Sequence, residues 1–326
     1  MDRPISIRAA TEADGPTLSA IERESPLVLG DVAIAIDRGG DYFAAARLMA
    51  DVTVLLAEVD GEPAGVMAGA RHPALLGGKL VDVVYIHHAR ILPRFQRLGL
   101  GRKLAAGLDR AYPPETIATR YWYIARDNAK SQSFARAAAN RWSFGPAHLA
   151  LPADPNAEAV GRPATPADAE TIAAMLNAAH EGEEMFVPYT AASLAERLSR
   201  APGQYSWGSL RLHGKAVLGA WPHGDYVLVV ANGPAGSRRT RSLAVLDYGC
   251  LPGGEDDLTA LFRAAAAGAA SRGFDDVTYF SSPGARLWDL LSGLGQGGDV
   301  FDFWTPGVPE PDGASSRGLY VDPIYF

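Results

Sequence analysis

The chain of 326 residues has a single cysteine, Cys250, which rules out an intramolecular disulfide framework and any zinc site built on several thiolates. A reducing cytoplasm is the compartment that such usage suits. Long hydrophobic runs are missing too: no stretch reaches the roughly eighteen apolar residues of a membrane span, and residues 1–15 lack the apolar core of a signal peptide. A soluble, unexported, cytoplasmic protein without membrane contact is expected. There is no excess of positive charge either. The formal net charge of −7 argues against a nucleic-acid partner and suits an amine or cationic one better. No cluster of side chains has the spacing of a metal site, so no metal is expected.

What is present is a composition with 48% apolar residues, enough to bury the cores of two ordinary domains. The sequence also repeats itself. Arg8-Ala9-Ala10-Thr11-Glu12-Ala13-Asp14 returns as Arg162-Pro163-Ala164-Thr165-Pro166-Ala167-Asp168, each time between a short strand and a helix. Two prolines and turn residues at 151–156 interrupt regular structure and set the boundary between the copies near residues 152–161. In each copy a hairpin follows, over 53–69 with Asp60-Gly61 at the turn and over 209–220 with His213-Gly214. A long apolar strand then runs into a helix (80–92 into 101–110, 243–251 into 257–272), and a further strand and helix close the copy (117–125 with 130–139, 276–280 with 285–294). This alternation predicts an α/β layer in each half. The tail, 315–326, is expected to pack as an extended segment.

The most informative stretch is Ile91-Leu92-Pro93-Arg94-Phe95-Gln96-Arg97-Leu98-Gly99-Leu100-Gly101-Arg102-Lys103, at a strand-to-helix junction. Glycines there allow close approach of a ligand, and the unpaired amides and positive dipole end of the helix favour an anion such as pyrophosphate. Arg97, Arg102 and Lys103 add positive charge. The strand before it carries His87 and His88, side chains suited to proton transfer near neutrality. Strict alternation places Tyr85 and His87 on one face and His88 and Arg90 on the other, unless a bulge before Ile91 re-aims them.

Gln96-Arg97-Leu98-Gly99-Leu100-Gly101, in this order of elements, resembles the pyrophosphate loop of the GCN5-related N-acetyltransferase superfamily, Gln/Arg-x-x-Gly-x-Gly/Ala. The resemblance covers residues 5–150. It implies two tandem domains of that fold, 1–152 and 162–326, each a mixed central sheet flanked by helices. Acetyl-CoA would be the co-substrate and a small-molecule amine the acceptor. It further implies that the backbone of Ile91 and Leu92 bonds the pantetheine arm and that the amides of Arg97, Leu98, Gly99, Leu100, Gly101, Arg102 and Lys103 hold the pyrophosphate. Asn128 matches an asparagine beside the coenzyme; a helix N-cap is the alternative role.

The sequence departs from the family at two points. The usual strand glutamate is absent, Tyr85 standing nearest, so His87, then His88 and Tyr85, are the candidate bases. The tyrosine that reprotonates the thiolate is replaced by Ala135, which leaves the acid among Tyr121, Tyr123, Ser131 or water. These departures also admit a malonyl-thioester decarboxylase or a non-catalytic coenzyme-binding module. The second copy has Leu251-Pro252-Gly253-Gly254-Glu255-Asp256-Asp257 at the matching junction, whose carboxylates would repel pyrophosphate, so it is expected to be degenerate and without coenzyme. Assembly as a homodimer is left open.

Overall fold

The computed structural model describes residues 3–39, 41–234 and 236–325; Phe326, at the end of the tail discussed above, lies outside them. The first half runs β1 (Ile5–Ala9), α1 (Gly15–Glu24), β2 (Leu27–Leu29), β3 (Val32–Asp37), β4 (Asp51–Val59), β5 (Glu62–Leu76), β6 (Lys79–Ile91), α2 (Leu100–Ala111), β7 (Thr119–Ala125), α3 (Ala129–Arg136), β8 (Asn140–Arg141) and β9 (Ala147–Pro152). The second runs β10 (Arg162–Pro163), α4 (Ala169–Ala179), α5 (Ala191–Ser199), β11 (Leu210–His213), β12 (Ala216–Trp221), β13 (Leu228–Gly233), β14 (Gly236–Thr240), β15 (Ser242–Cys250), α6 (Glu255–Ser271), β16 (Asp276–Ser281), α7 (Trp288–Leu294), β17 (Gln296–Thr305) and α8 (Ala314–Arg317).

The duplicated motif makes the same bonds twice. Arg8 grips Asp14 with both terminal nitrogens at 2.9 and 2.7 Å while the Thr11 amide donates to that carboxylate at 2.8 Å. Arg162, Asp168 and Thr165 repeat the arrangement at 2.9, 2.5 and 2.9 Å. The arginine, then the threonine amide, holds each aspartate well below the ordinary carboxylate range.

The two copies do not form two closed sheets. One thirteen-stranded sheet runs β1-β4-β5-β6-β7-β17-β9-β16-β15-β12-β11-β10, with β8 beside β17. Strand β17, from the end of the second copy, lies against β7 of the first, Trp304 opposite Trp122. Strand β9, the last of the first copy, pairs along its whole length with β16 of the second. The hydrogen-bonded sheet therefore runs straight across the division at 152/162. Side chains fasten the exchange: buried Asp302 on β17 accepts from Gln132 at 2.9 Å and pairs with Arg126 and Arg141, and the Thr119 and Thr305 hydroxyls meet at 2.9 Å. The crossing is tight enough to require glycine, since a Cβ at Gly145 or Gly298 would lie 1.9 Å from the carbonyl oxygen of Phe301 or His148.

A smaller sheet, β14-β13-β3-β2, also joins the halves, pairing the segment after α1 with a further hairpin of the second copy, β13–β14. One apolar core likewise spans both, bringing Tyr85, Tyr121 and Trp142 together with Leu176, Leu246, Phe303, Leu319 and Ile324. The tail reaches this core, but only partly extended. It forms α8 and a final 3-10 turn, with Asp322 bound by both terminal nitrogens of the buried Arg197 at 2.5 and 2.9 Å. Helix α8 is bounded by two glycines at positive φ, Gly313 before it (69°) and Gly318 after it (85°).

Candidate functional site

The site is a gap in the sheet. Strands β6 and β7 are parallel and paired only from Val83–Tyr85 to Thr119–Tyr121; among the described residues no rung follows, and β7 turns to β17 instead. Beyond Tyr85 the end of β6 is bulged: Ala68 faces His87 and Val66 faces Arg90, so Met67 alone opposes both His88 and Ala89. His88 takes a left-handed conformation, φ 51°. Strict alternation therefore fails here. At the bulge the His87 and His88 rings meet edge to face, with centroids 4.5 Å apart.

The ladder sorts the backbone groups. The Leu92 amide donates to the Ala64 carbonyl at 2.9 Å and the Leu92 carbonyl accepts from the Phe95 amide at 2.9 Å, so that amide is not free for a ligand, contrary to the expectation for Leu92. Ile91, one residue earlier and opposite Gly65, points its N–H and C=O away from β5, towards the gap.

After β6 the chain makes a tight turn into α2. Gly99 caps the helix at φ 75°, and Arg97 is also left-handed, φ 69°. The amides of Leu100, Gly101 and Arg102 occupy the first helical positions and have no intrahelical acceptor. That of Lys103, expected from the resemblance to join the pyrophosphate, is taken by the Gly99 carbonyl at 3.2 Å, because it is the first to reach back one full turn. The side chains of Arg97, Leu98, Arg102 and Lys103 are exposed. Leu100, Leu104 and Leu108 bury the opposite face of α2. Nearby, Lys130 reaches Gln96 at 3.2 Å, and Asn128 caps α3 by accepting the Ser131 amide at 3.1 Å, which gives its oxygen a structural role.

The candidate bases differ sharply. His88 accepts from Arg38, Nη2 to Nε2 2.8 Å, since guanidinium can only donate; its proton then sits on Nδ1, 3.4 Å from the Tyr42 hydroxyl. Burial first, then Arg38 and Arg90, hold the His88 imidazole well below its usual range. It is a fixed neutral histidine with no free acceptor. His87 lies parallel to Tyr85 at 5.1 Å, and its Nε2 is buried without a hydrogen-bond partner among the described residues. Burial, His88 and Arg38 lower its basicity against an opposing effect of Glu22. Tyr85, stacked inside this cluster, is pushed by burial above the range of a useful base.

Tyr121 adds a connection the sequence did not reveal. His72 Nδ1 faces the Pro73 carbonyl at 2.8 Å and must donate there, so His72 Nε2 accepts from the Tyr121 hydroxyl at 2.7 Å. Tyr123 and Phe303 pack around the same rings. Ala135 is fully buried and brings no acid. Among the described residues no group of three or more His, Cys, Asp or Glu side chains is gathered as a metal would need, and no helix is long and apolar enough to cross a membrane.

The matching gap in the second copy is filled. Strand β15 leaves β16 after Ala244, and buried Tyr248 spans the opening, its hydroxyl donating to the Phe280 carbonyl at 2.8 Å. At the N-terminus of α6, Glu255 pairs with Arg286 at 2.6 Å and Asp257 accepts from the Lys215 amide at 2.8 Å.

Five histidines make stability sensitive to acid. Burial lowers His148 to about 4 and, with Arg38 and His148 adding to it, His223 to about 3; His72, His87 and His88 are lowered as well. The unfolded chain regains imidazoles that titrate near 6.5, so below that pH it binds more protons than the folded chain, and stability falls until each folded-state value is passed. Each such group contributes up to about 1.4 kcal/mol per pH unit. Calorimetric melts should show Tm falling steeply from pH 6.5 to 4; a flat Tm would contradict the burial of these rings.

Residues 30–139 match the model of the acetyltransferase (GNAT) family. No curated protein sequence matches the chain. Solved structures similar in fold include Saccharomyces cerevisiae N-myristoyltransferase with bound myristoyl-CoA, at 9% identity and TM-score 0.65, covering 97% of this chain and 89% of that one. A GCN5-related N-acetyltransferase from Sphaerobacter thermophilus aligns at 15% identity and TM-score 0.55, covering 94% and 97%. A GCN5-related glucosamine N-acetyltransferase region of a fungal multi-domain GH3 β-N-acetylglucosaminidase aligns at 12% identity and TM-score 0.63, covering 94% of this chain and 38% of that one. At these identities the likeness is one of fold.

Proposed function

We propose, from the premise that this chain carries an acetyltransferase (GNAT) family domain within a tandem GNAT-like fold, that its first half binds acetyl-CoA and transfers the acetyl group to the amine of a small molecule. The observation that carries the reading is the gap between β6 and β7 with the Gly99 turn at its mouth. The amides of Leu100, Gly101 and Arg102, with Arg97, Arg102 and Lys103 around them, suit a pyrophosphate. Ile91 offers backbone groups to the pantetheine arm, which would run along β6 and bring the thioester towards the bulge.

His87 is the base. A neutral amine attacks the thioester carbon, the nitrogen becomes cationic and acidic, and His87 Nε2 accepts its proton as the tetrahedral intermediate collapses and the carbon–sulfur bond breaks. A weakly basic imidazole suffices, because the proton leaves an acylating nitrogen rather than a free ammonium. The coenzyme thiolate then takes a proton from water or from Tyr121, whose hydroxyl is linked to His72. The second half, with Tyr248 in its gap and carboxylates at the N-terminus of α6, serves as wall and support for the first rather than as a second coenzyme site.

The test is release of free thiol from acetyl-CoA with a panel of small primary amines, for the wild type and for His87→Gln. The variant is expected to lose about 100-fold in kcat while its affinity for acetyl-CoA stays unchanged. A variant as fast as the wild type removes His87 from the reaction. Binding of acetyl-CoA without thiol release in either protein would favour a coenzyme-sensing module.

A further inference from the structure

We propose that Arg38 is a positioning residue for the transfer: the chain Glu22–Arg38–His88 locks the bulge of β6 and so fixes where His87 presents its free nitrogen. The inference rests on His87 as the base, and it assigns work to residues that touch neither donor nor acceptor in that reading.

Three segments far apart in sequence meet at this guanidinium. Arg38 follows β3 and is 5% exposed; its Nε donates to Glu22 Oε2 on α1 at 2.5 Å, and its Nη2 donates to His88 Nε2 on β6 at 2.8 Å. Its plane also lies over the Tyr42 ring, 5.5 Å from the centroid. Such a fork cannot deprotonate, so it dictates the tautomer of His88 and anchors a residue held at φ 51°. The His88 ring then stands edge-on to His87, which is pressed on its other side against Tyr85 at an interplanar angle of 2°. His87 is thus clamped through its neighbour.

Ser19 Oγ and Glu22 Oε1, one helical turn apart on α1, are, like His87 Nε2, buried polar atoms without a partner among the described residues. The groups that face His87 are the titratable His88 on its own strand, Glu22 from α1, and Arg38 from the end of β3; Arg90 acts on His88, and His223 of the second half senses Arg38 in turn. Burial and Arg38 favour the unprotonated imidazole of His87 and Glu22 opposes them. Because β3 is hydrogen-bonded to β13, the second half holds the strand that delivers Arg38.

The experiment is an NMR titration of histidine-labelled full-length protein, the His87 signal being identified by its loss in His87→Gln. In Arg38→Met the His87 midpoint is expected to move up by about one pH unit and the Nδ1–H tautomer signature of His88 to disappear. Arg38→Met leaves Glu22 buried and unpaired; should it fail to fold, the isosteric pair Glu22→Gln/Arg38→Met keeps the site neutral and should show the same two changes, the midpoint shift being smaller. Arg38→Lys keeps the charge without the fork and should preserve the midpoint better than the tautomer. An unmoved His87 midpoint and an intact His88 signature in a folded Arg38-less variant overturn the proposal. The readout needs no acceptor, so it is separate from the thiol-release assay, whose failure in His87→Gln would instead remove the base.

Discussion

Changing Gly101 to glutamate is expected to abolish acetyl-CoA binding, raising Kd by at least about 100-fold, without lowering Tm. The two halves of this expectation come from different facts. A Cβ at position 101 would meet only Ile91 Cδ1, at an ordinary 3.8 Å, and the residue sits in regular helix, so the fold has room for a side chain. Replacing glycine in a helix, and placing a carboxylate in its first turn, are each mildly stabilising. The same carboxylate, however, would lie among the amides of Leu100, Gly101 and Arg102 and repel a pyrophosphate. Gly99 is a poorer probe by itself, because φ 75° strains any other residue by about 1 kcal/mol. Calorimetric titration of acetyl-CoA together with thermal melts checks both halves. Binding at wild-type affinity by Gly101→Glu would place the coenzyme elsewhere.

Residues 1–152 expressed alone are expected not to fold, and neither are residues 153–326, whereas the two together should recover a soluble complex that binds acetyl-CoA. Without β17, strand β7 becomes a bare edge beside Tyr121, Tyr123 and Trp142, and β9 loses both neighbours. Such an edge over an uncovered apolar face invites aggregation. Without β9, in turn, β16 loses the partner that runs its full length. Dispersion of amide resonances for each fragment, alone and mixed, measures this. A well-dispersed 1–152 that binds acetyl-CoA would show that β17 is dispensable.

The sequence was informative wherever the determinant was local. The Arg-Thr-Asp motif is closed within seven residues, and both copies make the same bonds. The Gly99 turn is read from adjacent residues, and it sits between a strand and a helix as expected. Hidden features are those decided by distant partners. Which strand lies beside β7 is set by residues 301–304, and no local pattern in 119–125 announces them. The bulge could be suspected, but its residue could not be chosen, because Arg38 and Glu22 that stabilise His88 are remote in sequence. For the same reason the sequence ranks His87 ahead of His88 without a geometric ground, while the fold leaves His87 Nε2 without a partner among the described residues and makes His88 Nε2 accept from Arg38. The Leu92 and Lys103 amides donate to the carbonyls of Ala64 and Gly99, partners that sequence position alone does not reveal.

The exchange of β9 and β17 also sets an order of events during synthesis. A chain emerging from the ribosome completes the Gly99 turn, α2 and β7 early, but the strand that flanks β7 ends only at Thr305. At about 5–20 residues per second, the remainder takes on the order of ten seconds or more to arrive. During that interval the nascent first half carries an open strand edge, and a chaperone that masks it would govern yield more than any property of the finished site. Prematurely terminated chains would be inactive even though every residue of the coenzyme turn had been made.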